Sequence, residues 1–447
     1  MHKQNCAKWI SCAIIALNGG IVMAKKYMPR LADKLLAMHL ASKGAVLVRG
    51  AKWCGKTTTA LQAAQSVIFM QDPDNKAQYL ELSVLKPSRL LQGDTPHLID
   101  EWQIAPQLWD AVRFAVDQRG VFGQFILTGS AVPPDTSQVT HTGTGRIANL
   151  TMRPMTLYES GESSGEVSLK ALFENAHDVD GENELDIDDI AYLICRGGWP
   201  QALGCPKDIA LRQAIDYFDT VVEVDISRVD GKKRSGDYTK RLLRAYARAV
   251  GSQASINSLA SDMAVNEETT LSSVTVSDYI NALKQIYVIE NSLAWNPNLR
   301  SKAAIRTSDT RYFVDPSIGA AALGIGPNDL INDLNTMGLF FENMCIRDLR
   351  TYAEVLDGQV YHYRDKNGLE CDAVIHLRNG EYGLIEIKLG GEDAVDKGAS
   401  TLAALAESID TTRMKSPAFC MVLTGMGKFA YKRKDGIFVV PVGCLRD

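Results

Sequence analysis

Eight residues constrain this chain more than any others: GAKWCGKT, Gly50 to Thr57. They fit the spacing G-x-x-x-x-G-K-[ST] and stand where that spacing has physical meaning. An apolar run, AVLVRG (Ala45–Gly50), precedes them, and a helical stretch from Thr57 to Gln65 follows. Glycines let the backbone wrap tightly, so amide N–H groups across Gly50, Ala51, Lys52, Trp53, Cys54, Gly55, Lys56, Thr57 and Thr58 converge on one point. The positive end of the following helix adds to that field. Such a cradle suits the phosphates of ATP, with Lys56 reaching the β- and γ-phosphates and the Thr57 hydroxyl facing Mg2+. Cys54 reads as a filler position rather than a redox centre.

The surroundings agree. HLIDE (His97–Glu101) and FILTGS (Phe125–Ser130) are apolar runs that end in polar residues. Buried parallel strands look like this when their C-terminal ends open into a site. Shorter strands are expected at Val67–Met70 and Tyr79–Leu82, with helices between, among them Leu108–Gln118. The alternation predicts an α/β layer with a parallel sheet. Asp100 would enter the Mg2+ shell, and Glu101 would orient an attacking water. Thr128 and Ser130 stand where a side chain meets the γ-phosphate or that water, or where the chain simply turns. Arg146, in the Gly-rich GTGRI, is a candidate to stabilise transition-state charge in its own subunit or a neighbour's, with a plain surface ion pair as the alternative. A small-molecule kinase would use the same loop, but the Asp-Glu strand end and the long C-terminal half do not suit it.

YMPR (Tyr27–Arg30), VLVRGAKWCGKTTTA, LIDEWQ, FILTGS, GRI, GGWPQAL (Gly197–Leu203) and DYFDTVVEVDI (Asp216–Ile226) together resemble one family. It is the AAA-type ATPases of bacteria and archaea that carry a C-terminal domain of unknown function. The likeness continues through VTVSDYINALKQIYVIENSLAWNPN, RYFVDPSIGAAALG, GLFFENMC, ECDAV and LIEIK, so it covers nearly everything after residue 26. It implies an ATPase module, a winged-helix-like region and a restriction-endonuclease-like C-terminal core. The corresponding segments are an extension at 1–26, an ATPase domain with a helical lid at 27–235, a winged-helix-like domain at 236–325 and a nuclease-like domain at 326–447.

The residues themselves support parts of that outline. Arg228 to Arg248 concentrates lysine and arginine, and two helical stretches follow before β-rich pieces around Asn and Pro. Helix, turn, longer helix and hairpin is the outline of a winged helix. If its second helix, Val274 to Ile289, entered a DNA groove, Thr275, Ser277, Asn281 and Lys284 would face outward, with Arg300 and Lys302 on the hairpin. Asp278 on that helix would repel phosphate, so DNA contact and a structural or protein-binding role both stand. Further on, strands are expected at Gln359–Arg364, Cys371–Leu377 and Tyr382–Leu389. Side chains alternate along a strand, so Glu386 and Lys388 share a face, and Asp372 lies on the neighbouring strand. With Glu342 on the preceding helix, this resembles the PD-(D/E)XK nuclease signature. Asp372, Glu386 and Glu342 would hold a hard divalent ion through oxygen, with Lys388 placing a water. A solvated ion-paired strand face, or a nuclease fold kept for binding, are the alternatives.

Composition bounds the rest. A chain of 447 residues is too long for one ordinary domain. A net charge of −5 gives no global nucleic-acid signal, so any such contact must be a local patch. Nine cysteines without a Cys-x-x-Cys pair point to a reducing, cytoplasmic setting. The run Trp9–Leu17 falls far short of the ~20 apolar residues that span a bilayer, so no membrane partner is expected. Residues 1–22 read as a dispensable extension, and Met23 is a candidate start. The acidic stretch Glu159–Asp189 fails the calcium-loop spacing and reads as a solvated loop. DNA or another protein remain the candidate partners, and a homo-oligomer is compatible with the chain.

Overall fold

The computed structural model describes residues 26–130, 143–174, 177–229, 232–264, 272–297, 308–412 and 414–447. Five strands form a parallel sheet: β1 (Ala45–Arg49), β2 (Ser66–Phe69), β3 (His97–Asp100), β4 (Phe125–Gly129) and β5 (Ile147–Thr151). Their order is β2-β3-β4-β1-β5. Every residue of β3 and β4 is buried, because both faces are covered. Val46 and Val48 of β1 meet one core with α1 (Leu31–Ser42) and α2 (Lys56–Ala63). Ala45 and Leu47 meet a second core with α4 (Leu108–Arg119), which follows α3 (Lys76–Leu85). Each buried leucine or valine stabilises these layers by roughly 1.5–3 kcal/mol.

One expected strand is a helix. Tyr79–Leu82 lies inside α3, whose alanine, glutamine, leucine and glutamate are strong helix formers. Tyr79, Leu80 and Leu82 pack on the second core from there, a pattern that four residues of alternation cannot distinguish from a strand.

The acidic stretch is also ordered where it is described, because its carboxylates cap helices. Thr156 and Glu159 form a reciprocal cap on α5 (Leu157–Ser160), and Glu159 is buried. After β6 (Val167–Ser168), α6 (Leu169–Phe173) and β7 (Gly181–Glu182), Asp186 and Asp189 cap α7 (Ile187–Arg196) in the same way. Four further helices follow: α8 (Lys207–Glu223), α9 (Gly236–Arg248), α10 (Ile256–Met263) and α11 (Ser273–Gln285). α10 packs on both α9 and α11. Beyond α11, Ile289 bridges Phe313 and Ser292 bridges Thr310 in antiparallel fashion. α11 thus stops short of the expected Ile289, because Ile289 already belongs to this pairing.

α12 (Pro316–Leu323) packs against α7, α8 and α9, and α13 (Pro327–Asn332) against α7. The long α14 (Leu334–Val355) leads into β8 (Gly358–Arg364), β9 (Glu370–Leu377) and β10 (Tyr382–Lys388), the three strands foreseen there. α15 (Glu392–Ser408), β11 (Phe419–Thr424), β12 (Phe429–Lys432), β13 (Phe438–Pro441) and β14 (Leu445–Arg446) complete the chain. The C-terminal sheet runs β7-β12-β13-β11-β10-β9-β8, so it takes in a strand from residues 181–182, while β14 pairs with β6. One hydrophobic core runs from α1 and the first sheet through α7–α12 to α14 and β10. Among the described residues, no helix is long and apolar enough to cross a membrane.

Candidate functional site

β1 ends at Arg49, and the chain then folds tightly back into α2. Gly50 has φ of +149°, and a Cβ there would stand 2.0 Å from the Met152 carbonyl oxygen. Only glycine fits so close to that strand end. Gly55 is left-handed and caps α2, so the first N–H groups of α2 are free to face a ligand. Ala51 and Cys54 are fully buried, and the Cys54 thiol points at the Met152 carbonyl, 3.4 Å away. Trp53 is left-handed at the loop apex and partly exposed, and Thr58 faces outward. The Lys56 ammonium is buried and donates to the Ala51 carbonyl at 2.7 Å, so the lysine lies along the inside of its own loop.

Beneath the loop lies a short polar row. The Thr57 hydroxyl donates to Asp100 Oδ1 at 2.7 Å, and Thr128 donates to the same oxygen at 2.6 Å. Thr128 in turn accepts the Glu101 N–H at 3.1 Å. Glu101 adopts a left-handed backbone with φ of +56°, which turns its side chain away from β3. The Glu101 carboxylate accepts from Ser130 at 3.3 Å and from Gln103. Lys56, Thr57, Asp100, Glu101, Thr128 and Ser130 are therefore brought to one end of the sheet. Thr128 does more than turn the chain, since it ties the two acids together.

Arg146 is not brought there. It immediately precedes β5, whose first residue pairs with Ala45 at the start of β1, while the phosphate loop leaves the other end of β1. Five residues of strand put roughly 16 Å between them. Arg146 instead donates to Asp117 at 2.8 Å on the surface. A role at this chain's own loop is excluded by the parallel pairing of β5.

Other groups do reach the loop without having signalled it. Arg30 donates to the Cys54 carbonyl and to the Arg153 carbonyl, both at 2.8 Å, and pairs with the buried Glu159 at 3.1 Å. Lys52 pairs with Asp225 Oδ1 at 2.5 Å, and Trp53 meets Tyr217 of α8 edge-on, ring centres 5.9 Å apart. Arg153, just past Met152, binds Glu290 at 2.7 Å and Glu354 at 2.8 Å. Burial alone would push the Glu290 carboxyl up, but Arg153 and Arg350 more than reverse that and hold it at about 2.

A second cluster lies on the C-terminal sheet. Asp372 accepts the Ile387 N–H at 2.7 Å and the Lys388 ammonium at 3.1 Å. Glu386, almost fully buried, meets the same ammonium at 2.6 Å. Burial and the neighbouring Asp372 push the Glu386 and Glu342 carboxyls up. Burial works against the Lys388 charge, yet Asp372 and Glu386 more than offset it. Glu342 of α14 accepts the Tyr312 hydroxyl, and its electrostatic neighbours are Asp372, Lys388 and Glu386. Three carboxylates thus share one ammonium, an all-oxygen set that suits a hard cation. Among the described residues, however, no three acidic, histidine or cysteine side chains stand close enough together to hold one.

On α11, Asn281 and Lys284 are exposed, while Thr275 and Ser277 are half-buried. Asp278 pairs with Lys232 at 2.9 Å and with Arg234 at 2.8 Å, so its repulsion toward a polyanion is offset within the chain. Lys240 and Arg244 of α9 are exposed. Arg300 and Lys302 lie outside the described residues.

The model of an AAA domain family matches residues 42–160. Two domains of unknown function match the remainder, DUF8612 at residues 187–329 and DUF4143 at residues 337–445. Uncharacterized proteins of Mycobacterium bovis and Mycobacterium tuberculosis are each 23% identical over 357 residues, covering 79% of this chain and 71% of the relative. A Walker-type ATPase of Pyrococcus abyssi aligns with a TM-score of 0.41 and 14% identity, covering 65% of this chain and 94% of its own.

Proposed function

We propose that the AAA-type P-loop domain of residues 42–160 binds and hydrolyses ATP, and that this turnover serves the C-terminal half of the chain. The observation that carries the reading is the row Thr57–Asp100–Thr128 directly beneath a loop of inward-facing amides. Its two hard oxygens, the Thr57 hydroxyl and the Asp100 carboxylate, suit Mg2+. When bound, Mg2+ would offset charge on the β- and γ-phosphate oxygens. Lys56 would leave the Ala51 carbonyl for those oxygens, and the loop amides would hold the α- and β-phosphates. Glu101, oriented by Ser130 and Gln103, would align the water and accept its proton. Glu101→Gln keeps the shape and loses the base, so it should bind ATP as wild type does and release phosphate about 100-fold more slowly. Calorimetry and a phosphate-release assay read the two quantities. Equal turnover in the two proteins would remove Glu101 from this role.

For the C-terminal half, we infer a winged-helix-like region followed by a PD-(D/E)XK-like core that acts on nucleic acid. Asp372 and Glu386 gathered on Lys388 support this, as do the exposed Lys240 and Arg244. Asp372 and Glu386 would hold a divalent ion, which when bound would acidify a water and polarise a phosphodiester. Lys388 would orient that water. A second reading, a nucleotide-gated scaffold for protein partners, is favoured by the saturation of the same cluster: Lys388 already holds two carboxylates and Tyr312 the third. Incubation of DNA and RNA with ATP and either Mg2+ or Mn2+ separates them. Cleavage that falls at least about 100-fold in both Asp372→Ala and Glu386→Ala supports the enzyme. Intact substrates with wild-type protein support the scaffold.

A further inference from the structure

The position expected to carry Arg146's charge is left open in this chain, and another cation stands much nearer. Lys52 lies in the phosphate loop itself, two residues after Gly50 and four before Lys56. Its ammonium does not wander in solvent. It sits 2.5 Å from Asp225 Oδ1, and that carboxylate is buried while the lysine is partly exposed. Asp225 opens the short helix after α8, and α8 also carries Tyr217, which meets Trp53. Two successive residues at the loop apex are thus held by α8 and the turn that follows it.

We propose that Lys52 is a second phosphate-binding lysine, and that Asp225 holds it away from the nucleotide until ATP competes for it. This rests on the ATP-hydrolysing reading above. The chemistry is a contest for one ammonium. A buried carboxylate offers a single negative charge, whereas the β- and γ-phosphates offer several, and the loop amides already concentrate them beside Lys52. Once transferred, Lys52 lies on the terminal phosphate, where negative charge is redistributed during hydrolysis. In that step the water oxygen bonds to the γ-phosphorus while the bond from that phosphorus to the β,γ-bridging oxygen breaks. The electron pair leaves with ADP, and the water proton passes to Glu101 and then to solvent. Lys52 gives up no proton; it supplies a preorganised charge of the kind a transition state needs. Asp225 is then a positioning residue, and losing its only recorded cation makes ATP binding weaker than the bare loop would allow.

The two partners make opposite predictions for the full-length protein. Lys52→Ala should lower kcat for ATP at least about 50-fold, and Lys52→Arg should recover most of that loss. Asp225→Asn should bind ATP about 5- to 10-fold more tightly, because the lysine no longer has to be detached. The double variant Lys52→Ala/Asp225→Asn removes the buried unpaired charge, so a kcat as low as that of Lys52→Ala assigns the loss to Lys52 rather than to misfolding. Wild-type turnover in Lys52→Ala, or an unchanged Kd in Asp225→Asn, overturns the proposal. If Lys56→Ala is inactive while Lys52→Ala is not, only this inference fails. If wild-type protein hydrolyses no ATP, the reading beneath it fails as well.

Discussion

Lys56→Ala protein should turn over ATP at least about 100-fold more slowly than wild type while unfolding at nearly the same temperature. The two halves of that expectation have different origins. Lys56 opens α2, and its ammonium makes one recorded contact, to a carbonyl of its own loop. Alanine is a better helix former, and the freed Ala51 carbonyl lies in a cradle lined by amides, so little folding energy changes. The catalytic side is another matter. A positive charge placed against the β- and γ-phosphate oxygens in a water-poor loop is worth far more than the same charge in bulk water. Phosphate release across a series of ATP concentrations, with a thermal melt on the same samples, separates the two. Turnover within about threefold of wild type would sink the assignment of this loop as an ATP site.

How much of this could be read beforehand follows from how local each feature is. The phosphate loop was legible because glycine spacing, the strand before it and the helix after it lie within twenty residues. Asp100 and Glu101 were legible for a similar reason, since an apolar run ending in two acids marks a strand opening into a site. Arg146 fails on topology. Its place depends on β5 pairing with β1, and no property of GTGRI reveals which end of the sheet it will occupy. Asp278 was read as a repulsive charge because Lys232 and Arg234 are distant in sequence, yet both close on it. The acidic stretch looked solvated because composition does not distinguish free carboxylates from caps; Glu159, Asp186 and Asp189 each satisfy backbone N–H groups instead. Asp225 and Lys52 are the extreme case. Neither residue signals the other, and only the return of α8 over the loop brings them together. In the C-terminal sheet, β8, β9 and β10 lay where alternation put them, but their partner β7 comes from residues 181–182, a strand too short for any pattern to announce.

The largest loss of stability should come from Arg347→Met. Arg347 is 1% exposed and pairs at 2.8 Å with Asp315 and with Asp348, which are 0% and 2% exposed. The same two carboxylates accept backbone N–H groups from distant parts of the chain, Asp315 from Gly198 and Asp348 from Leu157, each at 2.9 Å. One guanidinium therefore neutralises a junction where residues 157 and 198, the start of α12 and the middle of α14 meet. Methionine fills a similar volume but leaves two buried charges unpaired, a change that costs about 3–5 kcal/mol. Replacing the acids as well, in Arg347→Met/Asp315→Asn/Asp348→Asn, removes the charges and should recover part of the loss. The pH dependence has a definite sign. Burial pushes the Asp348 carboxyl up to about 6 even with Arg347 beside it, and removing the arginine pushes it higher. An acid whose folded pKa is raised loses stability as pH rises through that value. The Arg347→Met deficit should therefore be larger at pH 8 than at pH 5, read as the shift in urea midpoint against wild type. A deficit that is equal at both pH values would show that the carboxylates find other partners, and that the junction is held by packing rather than by this cation.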